Sequence, residues 1–342
     1  MPTIDSARLE AKATRIFTAM GAPAGDAAWI AALLVRANLR GHDSHGVIRI
    51  PQYWESVKRK EVDPRSPITV TAETPALVRL DGGRGFGQVV ARRAMEMAIA
   101  KAKAGGLSAA STSRTSHVGR LADYAEMAAD AGLVGLLWAN CVHGLNVAPW
   151  GGAARRLGTN PHAVAIPGSS GPAMVLDFAT SVVAEGKLRV KRNRKQPAPP
   201  GWFVDSKGRP ETDPEIFYGD PPGALLTAGD HKGYGLSLAV EILGGILSGT
   251  GPAGPPPGVF ANGTLMICVD VERFLPLADF HRQVAALFGW VKATPLAQNA
   301  SEILIPGEPE ARLEAARRAH GITVEDQTWN QIETTAAELG VA

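Results

Sequence analysis

The chain has 342 residues, 45% of them hydrophobic and 20% charged, which is enough apolar material for a sizeable core and more than one structural unit. Its formal net charge is +2 with the two signs interleaved, so it lacks the concentrated positive field that nucleic acid or an anionic membrane surface requires, and neither is an expected partner. The two cysteines, Cys141 and Cys268, have neither disulfide-framework nor zinc-site spacing, which points to a reducing, cytoplasmic compartment.

Met1 to Glu10 shows no basic-then-apolar secretory pattern, and the most apolar stretch, Leu236 to Leu247, is short and interrupted by Glu241. From Ser6 to Leu39 apolar residues recur at helical spacing: Leu9, Ala13, Ile16, Phe17 and Met20, then Trp29, Ala32, Leu33 and Val35. Two amphipathic helices separated by Gly21 to Gly25 are expected. After Pro64 come short strand-like runs, Ile68 to Thr71 and Ala76 to Leu80, followed by a helix over about Gln88 to Ala104. Leu133 to Ala139 and Met174 to Asp177 read as buried strands, whereas Leu121 to Ala131, Tyr234 to Leu247 and Glu308 to Ala316 read as helices. Lys187 to Pro222 and Thr250 to Gly258, rich in Gly and Pro, read as long exposed connections.

One segment imitates a dinucleotide loop. Asp81-Gly82-Gly83-Arg84-Gly85-Phe86-Gly87 joins a strand to a helix, but its glycines do not follow G-x-G-x-x-G, and Lys101 to Ser111 contains no acidic residue to hold a ribose. A glycine-rich turn that starts a helix is the better reading. No Walker-type loop and no G-x-S-x-G elbow occurs.

The densest polar cluster is Arg40-Gly41-His42-Asp43-Ser44-His45-Gly46, then Arg49 and Tyr53. On a helix His45, Arg49 and Tyr53 would share one face, with Pro51 beginning a new helix or kinking the first. A 2-oxo acid needs such a set: a guanidinium to hold the carboxylate through paired hydrogen bonds, and an imidazole to protonate the carbonyl oxygen. The same residues could be a solvated turn capped by Ser44, or a metal site of His42, Asp43 and His45, though no fourth ligand is evident. His117, in Thr115-Ser116-His117-Val118-Gly119-Arg120, is a second acid/base candidate or a packed histidine at a helix start. Thr159-Asn160-Pro161, Asp177-Phe178-Ala179-Thr180-Ser181 and Gly229-Asp230-His231-Lys232-Gly233-Tyr234-Gly235 put small residues where a cofactor could approach the backbone, with Lys232 as a cation for phosphate or ribose.

Taken in order, these blocks, with Asp205, Thr212-Asp213-Pro214 and Pro306-Gly307-Glu308, resemble the malate/L-lactate dehydrogenase family of the non-Rossmann type. That family includes ureidoglycolate, sulfolactate and diketogulonate oxidoreductases and ketimine reductases. The resemblance covers nearly the whole chain. It implies an α+β fold in which residues 1–75 and 309–342 form a helical domain and residues 76–308 a mixed-sheet region for cofactor binding and dimerisation. It also implies a homodimer with the active site near the subunit interface. Carried onto this chain, it makes His45 and His117 the acid/base pair, His45 placed first, with Ser44, Arg49 and Tyr53 around a small 2-oxo or 2-hydroxy acid. Cofactor contacts fall to Cys141, Thr159, Asn160, Asp177, Phe178, Ala179, Thr180, His231, Lys232, Gly307 and Glu308, with no metal.

Two positions depart from the pattern. Cys141 stands where many members carry Ser, exchanging a hydroxyl for a weaker hydrogen-bonding thiol near the expected nicotinamide. Asp230 stands where Gly is usual, and a carboxylate there would repel phosphate, which favours NAD over NADP despite the basic run Lys187 to Lys195. The expected reaction is hydride transfer between a 2-hydroxy acid and NAD, NADP being possible. The alternatives are a cyclic ketimine reductase of the same family, a catalytically silent binding relative, and a metal-dependent lyase.

Overall fold

The computed structural model describes residues 1–254 and 258–341, the side chain of Asn193 excepted. The Gly/Pro-rich stretch from Thr250 to Gly258, read as an exposed connection, therefore lies partly outside the described residues.

Both ends of the chain meet in one core. α1 (Ser6–Ala19) buries Leu9, Ala13, Ile16 and Phe17, one stripe of its surface, and Asp5 caps it by accepting from Arg8 N at 3.0 Å. α2 (Ala24–Leu39) packs beside it, followed by α3 (Ile50–Lys58), which Pro51 starts. From the other end, α10 (Glu308–His320) precedes α11 (Asp326–Glu338), whose Ile332 and Ala336 join Phe17, Ile30 and Ile50 in the same cluster. Between them β12 (Ile322–Thr323) pairs antiparallel with β1 (Thr3–Ile4), tying the two ends together.

The second core lies on a mixed seven-stranded sheet. In chain order its strands are β2 (Thr69–Glu73), β3 (Leu77–Asp81), β4 (Leu107–Thr115), β5 (Leu133–Ala139), β6 (His162–Gly168), β7 (Gly171–Phe178) and β11 (Asn262–Asp270). Across the sheet the order is β2-β3-β4-β11-β5-β6-β7. β3 and β4 run parallel, joined through α4 (Gly87–Gly105), and the other neighbours are antiparallel. This is an α+β arrangement and not the doubly wound parallel sheet of a Rossmann domain. α4 and α5 (Ala122–Asp130) press alanine-rich faces onto the sheet, with Ala91, Ala94, Ala98, Ala125 and Ala128 fully buried against Leu133, Leu137 and Met266. Small side chains let these helices sit close to the strands.

A buried ionic cluster joins the two cores. Arg36 of α2 and Arg40 at its C-terminal cap both reach Glu126 of α5, and Arg120 pairs with Asp123 at 2.5 Å and with Glu126 at 3.3 Å. Glu126 and Asp123 are almost wholly enclosed, so removing one partner would strand buried charge at a cost of about 3–5 kcal/mol.

The structure corrects one expectation outright. Lys187 to Pro222 is not an open connection: α6 (Glu185–Asn193), β8 (Phe203–Val204), β9 (Pro210–Glu211) and α7 (Pro214–Phe217) fold with β10 (Ala224–Leu225) into a small unit. Leu188, Phe203, Phe217 and Leu225 form its own core. Its apolar residues are too sparse to show a period, because β8 and β10 bury only two residues each and β9 buries none. The helix expected over Tyr234 to Leu247 is also subdivided, into α8 (His231–Val240) and a π-helical turn, Glu241–Ile246. Beyond the sheet, α9 (Leu277–Lys292) buries no residue in this chain.

Candidate active site

His45, Arg49 and Tyr53 converge, but not on one helix. The chain makes two 3-10 turns, Asp43–His45 and Val47–Arg49, separated by an extended Gly46, before α3 begins. Asn38 enforces the break from α2: its Oδ1 accepts from Val47 N at 2.9 Å and its Nδ2 donates to Asp43 at 2.7 Å. Competition from a side-chain amide for backbone groups is what interrupts the helix.

The glycine loop explains how His117 joins them. Asp81 closes the turn by accepting from Gly83 N at 2.8 Å, and α4 starts against the backbone of Ser116 and His117. A Cβ at Gly87 would stand 2.3 Å from the His117 carbonyl oxygen, so only glycine permits this approach, and Ser116 Oγ accepts from Gly87 N at 2.9 Å. The loop that imitated a dinucleotide motif thus seats a histidine. It also delivers Gln88, a buried amide that the sequence reading missed, whose Nε2 donates to Tyr53 Oη at 2.7 Å.

Tyr53 Oη lies 2.6 Å from His117 Nδ1. The phenol oxygen accepts from Gln88 and has a second lone pair for Nδ1–H, and the tautomer with its hydrogen on Nδ1 leaves Nε2 of the neutral His117 ring free to accept a proton. His45 stacks on His117 with ring centroids 5.6 Å apart, Ser44 Oγ is 3.1 Å from His45 Nδ1, and Phe260 closes the far side of His117 at 6.1 Å. Burial, reinforced by the nearby Arg49 charge, pushes His45 down to about 3 and His117 well below the usual imidazole range. Burial lifts Tyr53 to about 12. The two histidines and the phenol are therefore neutral near pH 7.

Arg49 is the cation among these neutral groups. Its Nε donates to Ser44 O at 2.7 Å and its Nη1 to Gln52 at 2.6 Å, while Nη2 makes no hydrogen bond and no carboxylate pairs with it among the described residues. Burial lowers its proton affinity. A half-buried guanidinium with donors to spare is suited to an incoming carboxylate.

These pKa shifts set an acid limit on the fold. Between pH about 6.5 and 3 the unfolded chain protonates His45, whereas the folded chain does not, so stability is complete above 6.5 and falls as the pH drops through this window. Melting temperature is expected to decline from pH 7 to 5, and the decline should shrink in His45→Gln. A pH-independent melting temperature would contradict the buried neutral pair.

The expected cofactor residues fall into three groups. Cys141 adjoins the first cluster: its Sγ is 3.9 Å from Thr159 Oγ1 and 3.7 Å from Asn262 Nδ2, and burial raises its pKa. Asn262, also missed from sequence, accepts from Val118 N at 3.0 Å and donates to Asn140 O at 2.7 Å, so it links the His117 segment to the Cys141 segment. In the second group Thr180 N and Oγ1 both donate to Thr159 O, and Ala228 N donates to Thr180 O, which brings the Thr159 turn to the start of α8 with His231 and Lys232. Asn160 lies fully buried beneath them, its Nδ2 donating to Ser237 Oγ and to Glu241. Phe178 instead stacks edge-on against His162 and Ala179 is half-buried beside it.

The third group gathers around Asp177 and Gly307. Asp177 accepts from Ala122 N at 2.8 Å, and burial raises its carboxyl to about 6. With Gly307, Arg40, His42, Arg120 and Glu310 it lines a small cavity. Glu308 accepts from Ile305 N at 2.9 Å and pairs with Lys292, so its carboxylate is already engaged. A larger cavity of about 490 Å³ opens between Arg192, Lys195, Thr212 and Glu215, but Arg192 is paired with Glu215 there and no histidine lines it. Among the described residues no three His, Cys, Asp or Glu side chains come close enough to share a metal ion, and no helix is long and apolar enough to cross a membrane.

This geometry is accompanied by similarity over the whole chain. A family model described as malate/L-lactate dehydrogenase matches residues 4–333. Hydroxycarboxylate dehydrogenase B of Escherichia coli (strain K12) is 36% identical over 342 residues, covering 98% of this chain and 94% of its own. Two solved structures superpose closely. Sulfolactate dehydrogenase from Methanocaldococcus jannaschii has a TM-score of 0.89 at 34% identity, covering 99% of this chain and 98% of that one. The delta1-piperideine-2-carboxylate reductase from Pseudomonas syringae pvar. tomato reaches 0.83 at 28% identity, covering 98% and 100%.

Proposed function

The chain belongs to the malate/L-lactate dehydrogenase family, and on that footing we propose that it interconverts a small 2-hydroxy acid and its 2-oxo acid with a nicotinamide cofactor. The observation that carries this reading is Arg49, half-buried, without a carboxylate partner among the described residues, and set against two neutral, stacked imidazoles. A carboxylate on Arg49 places the adjacent carbon and its oxygen within the histidine cluster.

In the oxidative direction the neutral His117 takes the hydroxyl proton, its ring held by Tyr53 and Gln88. Because Nδ1 faces Tyr53, we assign the exchanging proton to Nε2 and make His117 the principal acid/base. His45 stacks against it and excludes water. In the reductive direction the bound carboxylate offsets Arg49, so protonation of His117 becomes easier as the 2-oxo acid enters.

The nicotinamide group supplies or accepts the hydride. Residues suited to hold it are present: Cys141 and Thr159 beside the histidine cluster, the backbone N–H groups at the start of α8 with Lys232 for phosphate, and the buried Asn160 Oδ1, which has no partner among the described residues. Asp230, exposed at the cap of α8, favours NAD over a cofactor with an extra phosphate. We further infer a homodimer, since α9 presents Leu287 and Trp290, 76% exposed, and the π-helical turn presents Ile242 and Ile246. Sedimentation would test this.

The decisive assay is a panel of 2-oxo acids and a cyclic ketimine, each with both reduced cofactors, followed at the nicotinamide absorbance. Turnover of a 2-oxo acid supports the proposal. Turnover of the ketimine alone would transfer the chain to the reductase activity named for its structural relative. No turnover together with no nicotinamide binding would leave a silent fold.

A further inference from the structure

The first turn of α6 packs against the loop that carries Ser44, beside Arg49. Gly186 packs so tightly on the substrate loop that a Cβ there would stand 2.8 Å from Ser44 Cβ, and it is the Ser44 carbonyl that fixes Arg49 Nε. Flanking Gly186 are Glu185 and, one turn on, Arg189, which share a helix face.

These two are locked together. Arg189 Nη2 donates to both Glu185 oxygens, at 3.1 and 2.9 Å, and Tyr218 Oη donates to Glu185 Oε1 at 2.5 Å. Glu185 is only 16% exposed, whereas Arg189 is 55% exposed. Both lie close enough for their charges to act on Arg49, Arg189 opposing its positive charge and Glu185 supporting it. The neighbouring cations are differently occupied. Arg155 donates to Gly223 O and Phe217 O and lies over the Phe217 ring, and Lys187 is exposed with its charge falling on His42.

We propose that Glu185 restricts this site to 2-hydroxy acids with a single negative charge, by keeping Arg189 paired and so leaving a second acid group on the substrate without a free guanidinium. This rests on the dehydrogenase reading above. A dicarboxylate would have to enter with its distal carboxylate unpaired, or displace Glu185 and strand a mostly buried carboxylate; either is unfavourable. A monocarboxylate meets a wall with no net charge. The selective element is thus repulsive, a paired acid that denies a cation to the wrong substrate.

The test compares pyruvate with oxaloacetate in the wild type, Glu185→Gln and the double variant Glu185→Gln/Arg189→Met. The wild type should prefer pyruvate in kcat/KM. Glu185→Gln keeps an acceptor for Tyr218 and removes the charge that pairs Arg189, so it should raise kcat/KM for oxaloacetate by about ten-fold, the scale of one hydrogen bond to a charged group, with pyruvate little changed. The double variant should lose that gain. A wild-type preference for oxaloacetate, or an unchanged ratio in Glu185→Gln, overturns the proposal. Calorimetry with butanoate and succinate separates this from failure of the dehydrogenase reading, because it reports charge selectivity without turnover. Succinate bound as well as butanoate by the wild type would overturn the proposal, and a gain in succinate affinity confined to Glu185→Gln would support it.

Discussion

His117→Ala is expected to lower kcat by about 100- to 10,000-fold in both directions, the range typical for removing a positioned general acid or base. The variant leaves the fold intact, because His117 contributes a ring in contact with His45, Tyr53 and Phe260 but no backbone cap. Tyr53→Phe should fall between wild type and His117→Ala. It removes the partner at 2.6 Å that holds Nδ1, so the ring can turn and the exchanging proton is no longer confined to Nε2. The pH profile separates these roles. His117→Ala should abolish the ionisation that governs turnover, whereas Tyr53→Phe should shift it. His117→Ala with wild-type kcat, and the same outcome for His45→Ala, would remove both imidazoles from the reaction.

Arg49→Gln should raise the Michaelis constant for the 2-oxo acid by about 100-fold, equivalent to about 3 kcal/mol, the upper range for hydrogen bonds to a charged group. Loss of Arg49 has a second consequence of definite sign. Its charge disfavours the imidazolium forms of His45 and His117, so its removal raises both pKa values, although burial, the larger cause, still holds them below the ordinary range. The titration seen in kcat/KM should therefore move to higher pH as affinity drops. Arg49→Lys retains the charge without the planar paired donors, so it should lose affinity while leaving the titration near its wild-type position. An unchanged Michaelis constant in Arg49→Gln would exclude Arg49 from the substrate site.

The groups that could be named from sequence were those with unusual chemistry in a short span. Ser44, His45, Arg49 and Tyr53 lie close together in the chain, and the structure brings them together in space even though the intervening segment breaks into two 3-10 turns. Gln88, Asn262 and Glu185 escaped notice. Each is an ordinary residue type in an ordinary place, a helix start, a strand start and a charged helix, and each matters through a partner far away in the chain: Tyr53 for Gln88, Val118 and Asn140 for Asn262, and the Ser44 loop beside Gly186 for Glu185.

The long elements were legible because burial repeats along them. α1, α4, α5 and β5 carry the helical or the alternating period, and those periods are properties of a single segment. The glycine spacing before α4 likewise sufficed to reject a phosphate loop. What lay beyond the residues in order depends on distant segments meeting: a folded unit in place of an open connection, and a glycine turn that serves a histidine. Tertiary packing also made the histidines neutral and left Arg49 without a carboxylate partner among the described residues. Desolvation and charge proximity arise only when the chain closes on itself, and they decide which of the named residues can exchange a proton and which can hold an acid.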